Sequence, residues 1–114
     1  MKKKPLVTAI YCRVDRGGAK ETRQMGIDGQ KNKLQRYAKG KGLKIVACYE
    51  DDGFSGNDLS RPALKRLMSD FQEGKFEVVL VTDRCRLFRG MRLKEPKWPF
   101  KILITNQLEI SQAR

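Results

Sequence analysis

Val78-Val79-Leu80-Val81 is an uninterrupted apolar run, set between the polar Gly74-Lys75 and Asp83-Arg84. A strand with one wet face alternates apolar and polar residues. A strand without alternation is expected where helices cover both faces of a parallel sheet. The preceding residues supply one such helix. Leu64, Leu67, Met68 and Phe71 recur at i, i+3, i+4 and i+7, with Ser60 placed as an N-cap, Pro62 in the first turn and Gly74 as the stop. Further upstream, Leu43 to Glu50 reads as a strand, followed by an irregular loop from Asp51 to Leu59. Before it, Ile27, Leu34, Tyr37 and Ala38 mark one face of a helix that Gly40 and Gly42 end, and lysines cover the other face. Leu6 to Arg13 reads as the first strand, and Asp15 to Gly26 as a polar loop. The order is βαβαβ, an α/β fold with a mostly parallel sheet flanked by helices in three layers. A polar, proline-containing stretch then leads to Phe100–Thr105, which predicts a further strand.

Length and composition bound the function. A chain of 114 residues fits one domain of the common size, roughly 100–150 residues, with one modest core. Lysine and arginine total 25 against 13 acidic residues, a net charge of +12. Such a field favours a polyanionic partner, nucleic acid foremost. The charge is clustered. Lys31, Lys33, Arg36, Lys39, Lys41 and Lys44 form one block, and Arg84, Arg86, Arg89, Arg92, Lys94, Lys97 and Lys101 form another; either could follow a phosphate backbone. No apolar run reaches the ~18 residues of a membrane span, and no cleavage pattern follows the MKKK start, so a cytoplasmic protein without a membrane partner is expected. Three widely spaced cysteines, Cys12, Cys48 and Cys85, suggest reduced thiols, not disulfides or a zinc site. Histidine is absent, which removes Ser-His and Cys-His chemistry. Any catalysis must run on arginine, carboxylate or hydroxyl groups.

In a parallel α/β sheet ligands gather at the carboxyl ends of the strands, here near residues 13–16, 50–56 and 82–86. Taken singly, the residues there have plain readings. Arg13 is a charge at a sheet edge, Asp52 and Ser55 are turn formers, and Arg84, Arg86 and Arg89 are solvated charges. Arg61 is less easily dismissed, because a cation in the first turn of a helix opposes its dipole.

Taken together, the motifs point further. Tyr11-Cys12-Arg13-Val14, Gly29-Gln30, Asp52-Gly53-Phe54-Ser55-Gly56, Arg61-Pro62-Ala63-Leu64, and Val79-Leu80-Val81 followed by Arg86-Leu87-Phe88-Arg89 stand in one order and spacing. Over roughly residues 5–90 the chain resembles the catalytic domain of serine site-specific recombinases, the resolvases and invertases. The resemblance implies DNA as partner and a reaction that needs neither metal nor nucleotide cofactor nor small-molecule substrate. A serine hydroxyl attacks a phosphodiester, leaving a 5′-phosphoserine link and a free 3′-hydroxyl. Planar guanidinium forks suit the added negative charge of that transition state. By position, Arg13, Arg61, Arg86 and Arg89 match the family's phosphate-contacting arginines, and Gln30, Asp52 and Ser55 its supporting residues.

The chain departs from the pattern at the nucleophile. Asp15 stands where the family has serine, on the same strand face as Arg13. A carboxylate attacking phosphorus would give an acyl phosphate that water cleaves. Its charge also repels DNA, by on the order of 4 kcal/mol at ~4 Å and an effective dielectric near 20, softened by pairing with Arg13 or Arg86. Cys85 replaces the acidic residue that precedes Arg86 in the family, removing a charged acid–base candidate. Residues 1–90 are therefore read as the catalytic-domain core. Residues 91–114 are read as a divergent segment holding a remnant last strand, without a separate DNA-binding domain or the long helix through which the family forms homo-oligomers. Three functions are expected, in order. The first is a recombinase-type domain for site-specific strand exchange, impaired at Asp15; the second is a non-catalytic nucleic-acid or partner-binding module. The third is a phospho-accepting aspartate domain built on Asp15, Asp83 and the Asp51-Asp52 pair.

Overall fold

The strand that organises the sheet is the first one. In a computed structural model, which describes residues 4–56, 58–89 and 95–105, β1 (Val7–Val14) lies between two partners. The other elements are α1 (Lys20–Lys41), β2 (Lys44–Asp52), α2 (Pro62–Gln72), β3 (Val78–Val81), a 3-10 turn at Arg84–Arg86 and β4 (Lys101–Ile104). The order across the sheet is β2-β1-β3-β4, and every pairing is parallel. β1 is therefore walled on both edges, and its residues Ala9 to Arg13 have no exposed surface.

Alternation along β1 separates two cores. Ile10 and Cys12 point to α1, where they meet Ile27, Leu34 and Ala38 together with Leu80 of β3. Ala9 and Tyr11 point to α2, where Ala63, Leu64 and Leu67 pack with Tyr49, Val79, Val81 and Phe100. Helices thus cover both faces of β3, as its unbroken apolar run requires, and the layers are α/β/α.

Four local expectations need correction. First, α1 starts at Lys20, so the loop expected over Asp15–Gly26 shrinks to residues 15–19. Lys20, Glu21, Gln24 and Met25 are good helix formers that stand exposed, which hid the helix from a reading based on apolar periodicity. Gly26 inside it has a packing reason, since a Cβ there would lie 3.0 Å from Val14 Cγ1. Second, the helix runs through Gly40 and stops at Gly42, whose φ of +69° is the left-handed cap conformation. Third, β2 continues to Asp52, pairing Arg13 with Asp51 and Val14 with Asp52. Fourth, Ser60 does not cap α2. Arg61 holds the N-cap position but its side chain makes no capping bond, and Asp51 reaches across from β2 to accept the N–H groups of Ala63 (2.9 Å) and Leu64 (3.0 Å). A carboxylate at that helix end also meets the positive pole of the dipole. The predicted last strand is present as β4, parallel to β3. The remaining parts of the 91–114 segment, residues 91–94 and 106–114, lie outside the described residues, as do Arg92 and Lys94 of the second basic block.

Candidate active site

At the carboxyl edge of the sheet, the end of β1 is clasped from behind. Gln30 of α1 accepts the N–H of Arg13 at its Oε1 (3.0 Å) and donates from Nε2 to the Arg13 carbonyl (2.9 Å). This two-pronged bond stands in for a missing strand neighbour and fixes the peptide that carries Arg13. The Arg13 guanidinium then turns toward the loops. It donates from Nε to the Arg86 carbonyl (3.0 Å), from Nη2 to the Cys85 carbonyl (2.8 Å) and from Nη1 to the Phe54 carbonyl (2.7 Å), and Nη1 also meets the Asp15 carboxylate. Gly56 makes this approach possible, because a Cβ there would sit 2.9 Å from Arg13 Nη2 and 3.1 Å from the Cys85 carbonyl.

Arg61 is committed in the same way. Its Nε donates to the Asp58 carbonyl (2.6 Å), Nη1 to the Tyr11 hydroxyl (3.0 Å) and the Arg86 carbonyl (2.8 Å), and Nη2 to the Leu87 carbonyl. The Tyr11 hydroxyl donates in turn to Asp51 (2.7 Å), which completes a buried chain from Arg61 to the start of α2. Burial raises the Tyr11 pKa and lowers that of Arg61 from their ordinary values. Arg13 and Arg61 are both 0% exposed. Together they gather the carbonyls of residues 54, 58 and 85–87, and so shape the loops around the site.

Arg86 and Arg89 differ, with side chains 27% and 47% exposed. Arg86 donates to the Arg13 carbonyl (3.0 Å), and its Nε lies 3.4 Å from Asp83, an ion-pair separation without hydrogen-bond alignment. Arg89 donates to Asp15 Oδ2 (2.9 Å). Of the two partners expected for Asp15, Arg13 or Arg86, it pairs with Arg13; its second partner is Arg89, and Arg86 lies beside Asp83 instead. The bond from Arg13 holds its carboxyl below the usual range; partial burial opposes this and Arg89 reinforces it. Ser55, with Asp15, Arg16 and Asp58, lines an open cavity of about 390 Å³. Asp52 accepts from Arg23 (2.7 Å), which also holds the Gly18 carbonyl (2.8 Å) and ties the loop after β1 to β2. Cys85 is exposed and interacts with Arg89.

Reading the sequence did not single out Tyr11, Arg23, Gly56 or the capping role of Asp51. Parity was the available signal for Asp51, which shares a strand face with Tyr49 and so turns toward α2. Both of its oxygens are engaged and it is 1% exposed, so it is closed to a phosphodonor. Among the described residues no group of three or more Cys, Asp or Glu side chains is placed to hold a metal ion.

Known proteins share both sequence and fold with this chain. Residues 8–93 match the family described as resolvase, N terminal domain, and the chain belongs to that family. It is 39% identical over 85 residues to a Bacillus subtilis (strain 168) protein described as "Putative DNA recombinase", covering 73% of this chain and 16% of the relative. Among solved structures, it is similar to the N-terminal catalytic domain of TP901-1 integrase, with 40% identity, a TM-score of 0.64 and coverage of 75% of this chain and 61% of that one. A resolvase family site-specific recombinase from Streptococcus pneumoniae matches at 28% identity and a TM-score of 0.62, over 75% of this chain and 58% of that one. The C-terminal catalytic domain of the serine recombinase ISC1926 TnpA shares the fold at a TM-score of 0.71, over 95% of this chain and 78% of that one, at 24% identity. The chain is a serine-recombinase-type domain. It spans only part of the length of the first relatives. No helix among the described residues is long and apolar enough to cross a membrane.

Proposed function

We propose that this domain meets the DNA backbone at the edge formed by Asp15, Arg86 and Arg89, as a recombinase domain for site-specific strand exchange that is impaired at its nucleophile. The bridge from Asp15 to Arg13 and Arg89 carries the reading. A serine hydroxyl at that position would face the same guanidiniums as an uncharged attacking group, forming an O–P bond as the 3′ oxygen leaves with a proton. A carboxylate instead occupies them as a phosphate would, and like charge opposes the scissile group. Arg86 and Arg89 are exposed enough to reach phosphate oxygens. Arg61 acts as a positioning residue, because its donors are spent on loop carbonyls and the Tyr11 hydroxyl; Arg13 holds three loop carbonyls and also reaches the side chain at position 15. No step requires a cofactor, and the natural setting is the cytoplasm, where DNA is the partner. The same bridge favours a second reading, a non-catalytic DNA-binding module.

The test is to incubate a supercoiled, site-containing plasmid with the unaltered chain and with an Asp15→Ser, Cys85→Asp variant, and to assay covalent protein–DNA adducts. None is expected from the unaltered chain; adducts from it would overturn the impairment. Adducts from the double variant favour the recombinase reading, whereas salt-sensitive binding without adducts from either protein favours the binding module.

A further inference from the structure

Charge is distributed unevenly between the two ends of the sheet. At the carboxyl edge five arginines are answered by acids: Arg13 and Arg89 by Asp15, Arg23 by Asp52, Arg86 by Asp83 and Arg84 by Glu95. The edge is arginine-rich, yet its field is largely neutralised from within. The opposite end of α1 is different. Asn32, Gln35, Arg36 and Lys39 fall at i, i+3, i+4 and i+7 on one exposed face and line a shallow concavity of about 300 Å³ that contains no carboxylate. Among the described residues neither Arg36 nor Lys39 takes part in an ion pair. Exposed Lys41 and Lys44 extend the positive surface past the helix end.

We propose that this face of α1 is a second contact surface for the backbone of duplex DNA, remote from Asp15. The inference rests on the reading that the domain meets DNA. A helix-dipole role explains basic residues in the last turn, where Lys39 and Lys41 sit, but not Arg36 one turn earlier or the two amides beside it. Two cations flanked by two amides supply only hydrogen-bond donors and amide oxygens that suit phosphates and their hydration. The lining has no apolar side chain to enter a lipid surface. Packing does not require these residues either, since the buried face of the helix is formed by Ile27, Gln30, Leu34 and Ala38. At 1.5 Å per residue, Arg36 lies about 24 Å along α1 from Lys20, the end nearest Asp15. That is about seven base pairs at ~3.4 Å each, so the two surfaces grip different phosphates.

Fluorescence anisotropy with a random duplex of about 30 base pairs, followed across salt, tests the assignment. An Arg36→Ala, Lys39→Ala variant should lower the slope of log K against log salt by about 1.8, at ~0.9 per phosphate contact, with an unchanged far-ultraviolet spectrum. An Arg36→Lys, Lys39→Arg variant keeps both charges and should keep the slope. If Arg89→Ala weakens the salt dependence while the α1 double-alanine variant does not, the α1 surface is overturned and the edge reading stands. If the unaltered chain fails to bind duplex at any salt, both fall. Tighter binding to phosphatidylserine vesicles than to duplex would also overturn the assignment.

Discussion

The four arginines that match the family's set divide into two physical kinds. Arg13 and Arg61 are wholly buried and bond to loop carbonyls, whereas Arg86 and Arg89 keep a quarter to a half of their side-chain surface in solvent. The difference follows from position. Arg13 lies within the central strand and Arg61 at the cap of α2, where five fixed donors satisfy carbonyls that no strand or helix reaches. Arg86 and Arg89 come after β3, where the chain has left the sheet. Residues that share a place in one motif therefore divide between holding the loops from inside and standing at the solvent edge.

The largest effect that could break this division is on stability. Arg61→Ala removes donors from the Asp58, Arg86 and Leu87 carbonyls and from the Tyr11 hydroxyl at once. Urea denaturation should show a loss of about 3–5 kcal/mol, a large part of the 5–15 kcal/mol of a typical domain. Arg61→Lys should recover little, because an ammonium cannot reproduce the planar fork. A cost for Arg61→Ala of less than about 0.5 kcal/mol, the range of ordinary surface substitutions, would merge the two kinds.

Asp51→Ala should come next, at about 2–3 kcal/mol. It leaves the N–H groups of Ala63 and Leu64 and the Tyr11 hydroxyl without their partner. Arg89→Ala sharpens the comparison from the other side. Its stability should stay within ~0.5 kcal/mol of the parent, because the group is half exposed and its ion pair with Asp15 is screened.

The same contrast explains what the sequence could show. Periodicity revealed the strands and the core-facing stripe of α2, because Val78–Val81, Leu64 and Leu67 are buried and Met68 and Phe71 pack half-buried beside them. It missed the first turns of α1, where helix formers face water and no buried apolar residue marks the period before Ile27. Motif order singled out the arginines, Gln30 and Asp15, which the fold brings together at the carboxyl edge of the sheet. Spacing alone carries no information on whether a guanidinium points to solvent or to carbonyls, since Arg13 and Arg89 are equally charged letters. The exchange of cap from Ser60 to Asp51 was hidden for a related reason: the partner comes from a strand, 12 and 13 residues before the N–H groups it accepts, and local cap rules look only at neighbours.

The smallest effect concerns the carboxylate where the two kinds meet. Asp15 is bonded to buried Arg13 and exposed Arg89, and its pKa lies below the ordinary carboxylate value. A group with a depressed native pKa adds stability that is complete above its unfolded value, near 3.9, and is lost as pH falls through the native value. Denaturation at pH 7 and at stepwise lower pH, from about 4 downward, should therefore show an acid-side loss that Asp15→Asn reduces. The loss should be modest, since Asp15 is 45% exposed and solvent screens the pair. Salt separates the contributions, because the Arg89 arm lies at the surface and the Arg13 arm comes from the interior. Raising ionic strength should erase the part that Arg89→Ala also removes and leave the part that depends on Arg13. A pH dependence that Asp15→Asn leaves unchanged would mean that another carboxylate, and not this bridge, dominates acid unfolding.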